Sequence, residues 1–367
     1  MKTLTLVSAA STRPPREDLV RMELADEYPR ATLFGDVLNS DILDLNYLTR
    51  LSKSRQKIYR YTPVMISQIL EAFTVRKEYD AIISWSEKLG LIFALLLKLT
   101  HQRIPHIGIW SWISKPKKIT LLKITQNYID KILLMSSNQY NFTINNIGIP
   151  KSKVVLLKWP IDQRFWRPLN RKQDMICTVG REMRDFKTFI DAMSESGIKC
   201  HIAASEVAGK NDPWLKDLKG KTSIGENITI GKKSYAELRE LYARSRFIVV
   251  PLYPTDTDNG TTTILEAMAM GKAVICSQVE GQKDVIIDGK TGIFVPPQNT
   301  AALREAIQHL WENPEIAESM GQEGRKYIEQ YHTVDNWVNS VKDIVQCVVE
   351  SKSFRSKIDK QKSNIQR

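Results

Sequence analysis

Residues 246–296 open with Arg246-Phe-Ile-Val-Val-Pro251 and pass through a polar loop, Tyr253 to Gly260. They continue as Thr261-Thr-Thr-Ile-Leu-Glu266-Ala-Met-Ala-Met-Gly271, then Lys272-Ala-Val-Ile-Cys276, and close on Gly292-Ile-Phe-Val-Pro296. Phe247–Pro251 is apolar without alternation, which predicts a strand buried on both faces. Thr262–Met270 predicts an apolar helix that Gly271 stops, and Ala273–Cys276 predicts the next strand. A strand–helix–strand unit of this kind belongs to a parallel sheet. Asp258 and Glu266 are separated by seven residues, one before the helix and one a turn inside it. In Asp258-Asn-Gly-Thr-Thr a glycine lets backbone N–H groups approach a ligand, and the helix N-terminus that follows favours negative charge. The two carboxylates are then placed to accept hydrogen bonds from sugar hydroxyls. An ordinary βαβ unit with a polar connection has the same layout, and spacing alone does not separate the two.

Working outward, apolar runs alternate with helical patterns along the whole chain, which predicts α/β architecture with parallel sheets. Strands are expected at Leu4–Ser8, Ala81–Trp85, His106–Ile109, Lys131–Met135, Val154–Leu157, Met175–Val179, Lys199–Ala203 and Asn227–Ile230. Helices are expected at Tyr47–Arg60, Pro63–Val75, Leu89–Leu99, Ile119–Asp130 and Phe186–Ser194. Lys158-Trp-Pro-Ile-Asp-Gln-Arg-Phe-Trp-Arg-Pro168, with two prolines, reads as an extended linker. The 367 residues suffice for two domains, each with its own core. The expected division is 1–163, 164–350 and a basic tail, 351–367, whose composition predicts disorder. The last helix before the tail is placed to pack back on the first domain.

Composition bounds the function. No early stretch reads as a signal peptide, and Leu89–Leu97 is too short to span a bilayer. Four scattered cysteines read as core residues of a reducing cytoplasm. There is no Gly-x-Gly-x-x-Gly and no phosphate-loop signature, which disfavours nicotinamide and ATP. No His or Cys pair has metal-ligand spacing, so no metal and no cofactor is expected. Residues 1–170 carry 25 Lys/Arg against 14 Asp/Glu, a net +11; residues 171–350 carry 22 against 26, a net −4. A basic first half implies an anionic partner. Arg50, Lys53, Arg55, Lys57 and Arg60 interleave with Leu48, Leu51, Ile58, Tyr59 and Tyr61, and Lys115, Lys117, Lys118 and Lys123 follow Trp110 and Trp112. Basic segments with aromatic neighbours suit an anionic membrane surface through residues 50–61 and 115–123. A solvated face is the plainer reading. No nucleic-acid-binding fold is visible.

The segment Asp258-Asn-Gly-Thr-Thr-Thr-Ile-Leu-Glu266-Ala-Met-Ala-Met-Gly271-Lys-Ala-Val-Ile275 resembles the donor-site signature of family-four retaining glycosyltransferases. That signature is a Glu, a second Glu at this same spacing, then Ala-Met-Ala-x-Gly-x-Pro-Val. Leu238-Arg-Glu-Leu-Tyr-Ala-Arg-Ser-Arg246, Gly281, Ile287-Asp-Gly-Lys-Thr-Gly-Ile-Phe-Val-Pro296 and the helical tail Asn313-Pro to Arg325 resemble its flanking motifs, and Pro160–Pro168 resembles its hinge. The resemblance covers residues from about 160 to 345 and is weak before 150. It implies the GT-B fold, two Rossmann-like domains with parallel sheets facing a cleft. It also implies a nucleotide-diphospho-sugar held by the second domain, and transfer with retention of anomeric configuration.

The resemblance assigns roles residue by residue. Gly180 and Arg181 match the family's Gly-Arg, and Arg184 falls where the family has a Lys; two guanidiniums there would clamp a diphosphate. A salt bridge from one of them to Glu182 or Asp185 is the structural alternative. Asp258, in place of the first Glu, would meet hydroxyls of the donor sugar. Gly260, Thr261 and Thr262 would offer backbone N–H groups, Glu266 would accept both ribose hydroxyls, and the turn at Gly231 would hold the nucleobase. Asp256-Thr-Asp258 also matches the metal-binding Asp-x-Asp of a different glycosyltransferase fold; here it precedes a helix N-terminus and is read as no metal site.

The first half departs from the family pattern. The loop Ser8–Glu17 has no glycine, and Trp110 or Ser111 stands near the family's usual His. Glu87, Trp110 and Ser111 are the acceptor-side candidates, with Glu87 equally readable as a helix N-terminal acid. The acceptor would be a lipid, a lipid-linked species or a cell-envelope glycan, and the location cytoplasmic, peripheral on the inner face of the membrane. A nucleotide-sugar 2-epimerase and a non-catalytic GT-B binding protein are the competing readings.

Overall fold

A computed structural model of the protein describes residues 1–8, 13–194, 196–204 and 225–365, with side chains through Phe354. The chain divides into two units: residues 1–21, 31–157 and 335–367 form the first, and 22–30 with 158–334 the second.

In the first unit, β1 (Thr3–Val7), β2 (Ser40–Leu43), β3 (Ala81–Trp85), β4 (His106–Trp110), β5 (Lys131–Leu134) and β6 (Val154–Leu156) form one sheet. The order is β2-β1-β3-β4-β5-β6, parallel throughout. β3 and β4 are almost wholly buried, as a parallel sheet covered by helices requires. β1 and β3 flank the point where strand order reverses, so the loops after Val7 and Trp85 are the ligand-facing edge of this unit. Residues 9–12 of the glycine-free loop after β1 lie outside the described residues.

Three sequence expectations change here. β2 is too short and polar to register as an apolar run, and pairing with β1 rather than propensity makes it a strand. The helix expected over Tyr47–Arg60 is two helices, Leu45–Thr49 and Lys53–Tyr59. Asp44 caps the first by accepting from the Tyr47 amide, and Ser52 takes an extended conformation that breaks the run. Finally, the last helix runs Val334–Ile365, through residues where composition alone predicts disorder. Its Lys, Arg, Gln and Ile residues are all compatible with helix.

In the second unit, β7 (Met175–Val179), β8 (Cys200–Ala203), β9 (Ile228–Ile230), β10 (Ser245–Val250), β11 (Ala273–Ser277) and β12 (Gly292–Val295) form the second parallel sheet, ordered β12-β11-β10-β7-β8-β9. Its first three strands build outward from β7 on one side, and the next three from β10 on the other. This is the Rossmann order, and its switch point lies between β7 and β10. One apolar layer packs the helix Thr261–Ala269 and Trp166 onto the sheet; a second packs Phe186, Phe189 and the helix Thr300–Glu312 on the opposite face. Cys177, Cys200 and Cys276 are buried in these layers, and Cys347 is exposed.

Candidate functional site

The loops leaving β7 and β10 meet at the switch point and are zipped together. The Asp185 amide donates to the Pro251 carbonyl at 3.1 Å, and the Tyr253 amide donates to the Met183 carbonyl at 3.0 Å. Met183 takes a left-handed conformation, φ 55°. A non-glycine residue held there is strain that the surrounding hydrogen bonds must impose.

Arg184 corrects one expectation. Its guanidinium is buried under the loop, with Nε donating to the Val179 carbonyl (2.8 Å), Nη1 to the Glu182 carbonyl (2.9 Å) and Nη2 to Thr263 Oγ1 (3.0 Å). It lies against Gly180, in space a side chain there would occupy. The residue is a strut joining the β7 loop to the helix Thr261–Ala269. Arg181 is the exposed guanidinium of this loop, with no partner among the described residues.

The helix Thr261–Ala269 begins at Gly260, whose φ of 98° is a turn that only glycine adopts without strain. The Thr261 amide already donates to the Asp258 carbonyl, and the Thr261 hydroxyl donates to Gln282 Oε1, so Thr261 fastens the loop. Thr262 is exposed at the first turn, where amides have no partner inside a helix. Asp258 accepts a hydrogen bond from the Trp159 indole at 2.8 Å. The carbonyl of Trp159 in turn accepts from His332 Nδ1 at 2.7 Å. Of the Asp-x-Asp pair, Asp256 is exposed while Asp258 is held by Trp159.

Glu266 is buried, 6% exposed. Its Oε2 accepts from the Tyr242 hydroxyl at 2.8 Å, and Oε1 has no hydrogen-bond partner among the described residues. Burial pushes its carboxyl up to about 7, against the opposing influence of the Tyr242 hydroxyl and the Arg184 charge. Gly231 directly follows β9 and extends its pairing with β8: its amide donates to the Ile202 carbonyl and its carbonyl accepts from His201 Nε2.

Sequence reasoning missed Trp159, Tyr242 and Gln282. Trp159 and Asp258 are 99 positions apart, and no local pattern marks them as partners. Tyr242 sits at helical spacing among apolar residues and reads as core. Gln282, fully buried, also donates from Nε2 to the Asn259 carbonyl; its burial, and so its need for partners, is visible only in the fold.

In the first unit, Glu87 begins the helix Glu87–Leu99 and is ion-paired with Lys118, which also donates to the Trp112 carbonyl. Lys115 lies over the Trp112 ring, 4.1 Å from its centroid. Trp110 is a correction: it is 1% exposed, a core residue whose indole donates to Ser84 Oγ, because β4 turns it inward beneath the helix that carries Gly90. Ser111, next in the chain, is half-buried just past the carboxyl end of β4.

Two Rossmann-like units, the second with a glycine-opened helix and a buried acid at its switch point, define the GT-B class of fold. Residues 161–327, the greater part of the second unit, match the family model "Glycosyl transferases group 1". Alpha-D-kanosaminyltransferase of Streptomyces kanamyceticus is 30% identical over 153 residues, covering 40% of this chain and 39% of that protein. N,N'-diacetylbacillosaminyl-diphospho-undecaprenol alpha-1,3-N-acetylgalactosaminyltransferase of Campylobacter jejuni is 22% identical over 273 residues, 67% of this chain and 70% of that protein. The matches span only 27–39% of the length of three curated relatives, the kanosaminyltransferase among them. Among solved structures, Anabaena HepE in complex with UDP and glucose shares the fold, with a TM-score of 0.69 at 15% identity over 94% of this chain and 99% of that one.

Proposed function

We propose that the protein is a retaining glycosyltransferase that moves a sugar from a nucleotide-diphospho-sugar to a lipid or lipid-linked acceptor, without a metal ion. The observation that carries this reading is the second unit's switch point. There a glycine-opened helix N-terminus, an exposed arginine and a buried acid with an unpartnered oxygen sit within one set of hydrogen-bonded loops. Arg181 and the first-turn amides stabilise the diphosphate, Asp258 meets the sugar, Glu266 meets the ribose and Gly231 meets the base. Arg184 acts by holding the loop. The solved relative named above contains UDP and glucose, and the Campylobacter relative is named for an undecaprenol-linked acceptor, which supports both halves of the proposal.

In the reaction, the bond from the sugar's anomeric carbon to the diphosphate oxygen breaks. The acceptor oxygen bonds to that carbon from the same face, and the leaving diphosphate takes the acceptor's proton. The chain's task is to stabilise the departing charge, which fixed N–H donors and a guanidinium do well in a water-poor site.

On the acceptor side, Arg50, Lys53, Lys57 and Arg60 are exposed beside exposed Ile58 and Tyr61, a surface suited to anionic lipid headgroups. Arg55 is excluded from it, since it pairs with the buried Glu71. No described helix is long and apolar enough to cross a membrane. The test is to incubate the protein with a panel of nucleotide sugars, with and without lipid extract and with and without EDTA, and to measure nucleoside diphosphate release. Acceptor-dependent release that survives EDTA is the expected result. Loss restored by Mn²⁺ would reinstate the Asp-x-Asp pair as a metal site, and no release with any donor would favour a non-catalytic binding protein.

A further inference from the structure

We propose that Tyr242 is the positioning residue of the nucleotide site, its buried hydroxyl fixing Glu266 Oε2 so that Oε1 is the atom offered to the vicinal hydroxyls of a nucleoside ribose. The inference rests on the reading of Glu266 as a nucleotide ligand.

Tyr242 lies on the helix Tyr235–Arg244 and is fully buried. Its ring packs edge-on against Trp166, 5.5 Å between centroids. Trp166 is itself fixed: its ring meets Phe165 edge-on and its carbonyl accepts from Arg325 at 2.8 Å. The phenol therefore has one place to put its hydroxyl, 2.8 Å from Glu266 Oε2. A buried tyrosine needs such a partner. The carboxylate does not gain the same completeness, because Oε1 accepts nothing from the described residues.

A purely structural tyrosine–glutamate pair fits this geometry poorly. The cation that faces Glu266 is Arg184, from the loop after β7, yet each of its three nitrogens donates elsewhere: Val179, Glu182 and Thr263. On the facing helix, Tyr242 is held neutral by burial, while Glu237, Arg239, Glu240 and Arg244 are engaged with Ser234, Asp26, Arg171 and Asp174. A buried acid with one oxygen tethered and the other open, in an apolar helix where a leucine would pack better, is arranged for something outside the chain. Without the tether the carboxylate could rotate about its last bond and present neither oxygen reliably.

The hydroxyl also favours the charged form of Glu266, by donating to it. A carboxylate that accepts ribose hydroxyls must be ionised. Removing the donor therefore raises the pH at which nucleotide binding fails on acidification, whereas a loss of packing alone weakens binding equally at every pH.

The experiment titrates UDP, GDP, ADP and dTDP into the wild-type protein by calorimetry. It then follows whichever binds into Tyr242→Phe, Glu266→Gln and the double variant, from mildly acidic to mildly alkaline pH. Tyr242→Phe should bind about tenfold more weakly, with its acid limb shifted to higher pH. Glu266→Gln should bind weakly with no acid limb. The double variant should bind no worse than Glu266→Gln, because Tyr242 acts through Glu266. Should the unpaired carboxylate unfold Tyr242→Phe, the double variant carries the comparison, since a neutral glutamine restores tolerance. Additive losses in the double variant, or an unchanged affinity and profile in Tyr242→Phe while Glu266→Gln is impaired, would overturn the role of Tyr242 alone. Unimpaired Glu266→Gln, or no nucleotide bound by the wild type, would instead remove the underlying reading of Glu266.

Discussion

Glu266 is a residue that the fold would be more stable without. Its carboxyl is raised to about 7 by burial, from an ordinary 4.5. The folded state therefore holds the proton more tightly than the unfolded chain, so stability is greatest below the unfolded value and declines as pH rises through 7. Glu266→Gln removes that dependence. It should melt higher than wild type at alkaline pH, by on the order of 2 kcal/mol, with the gap closing toward pH 5; a gap that does not vary with pH would show that Glu266 is not buried as charge. The two arginines make a second pair of expectations. Arg184→Ala should destabilise by about 3 kcal/mol, since Val179, Glu182 and Thr263 lose their donor. Arg181→Ala should leave the melting temperature unchanged and weaken nucleoside diphosphate binding; the reverse assignment of the two phenotypes would contradict the strut. Glu266 was legible in the sequence because a lone acid inside Ile-Leu-Glu-Ala-Met has no packing reason to be there. The difference between Arg181 and Arg184 was not, because it depends on which guanidinium folds beneath Gly180, a matter of three-dimensional room.

At the scale of elements, the strands were readable wherever they are buried on both faces, as in β3, β7 and β10. A short continuous apolar run bounded by turn residues is what a strand covered on both faces requires, whereas the longer run at Leu89–Leu97 is a helix. Short edge or polar strands such as β2 depend on partners distant in sequence and left no local trace. The loop carrying Asp258 is likewise an assembly of separate segments. Gln282 grips the Asn259 carbonyl and Thr261, and Gly281 lies so close that a Cβ on it would sit 1.9 Å from the Thr257 carbonyl oxygen. Gly281→Ala must push the two loops apart. The expected cost is about 2 kcal/mol of stability together with impaired donor turnover, measured by thermal melting and nucleoside diphosphate release. Unaltered turnover would mean that the position of the Asp258 loop does not matter to catalysis.

On the scale of the whole molecule, charge is divided between the halves of the chain: +11 over residues 1–170 and −4 over 171–350. Vesicle sedimentation should show binding that rises with anionic lipid and falls with salt, since exposed charges are screened beyond about 8 Å at physiological ionic strength. Reversing Lys53, Lys57 and Arg60 to Glu should abolish it without altering nucleotide affinity; Arg55 is left intact because its loss would strand the buried Glu71. Indifference of the wild type to anionic vesicles at low salt would turn the acceptor proposal toward a soluble glycan. The two-domain α/β plan was legible from alternation alone, and the donor half from its motifs, whereas the first half carries few residues whose chemistry singles out an acceptor. The central claim is that the donor binds at the switch point of the second sheet. Hydrogen–deuterium exchange, with and without the nucleotide sugar that the protein turns over, tests it most directly. Exchange should slow in peptides covering 180–184, 229–233 and 258–266, and protection confined to other segments would contradict the account.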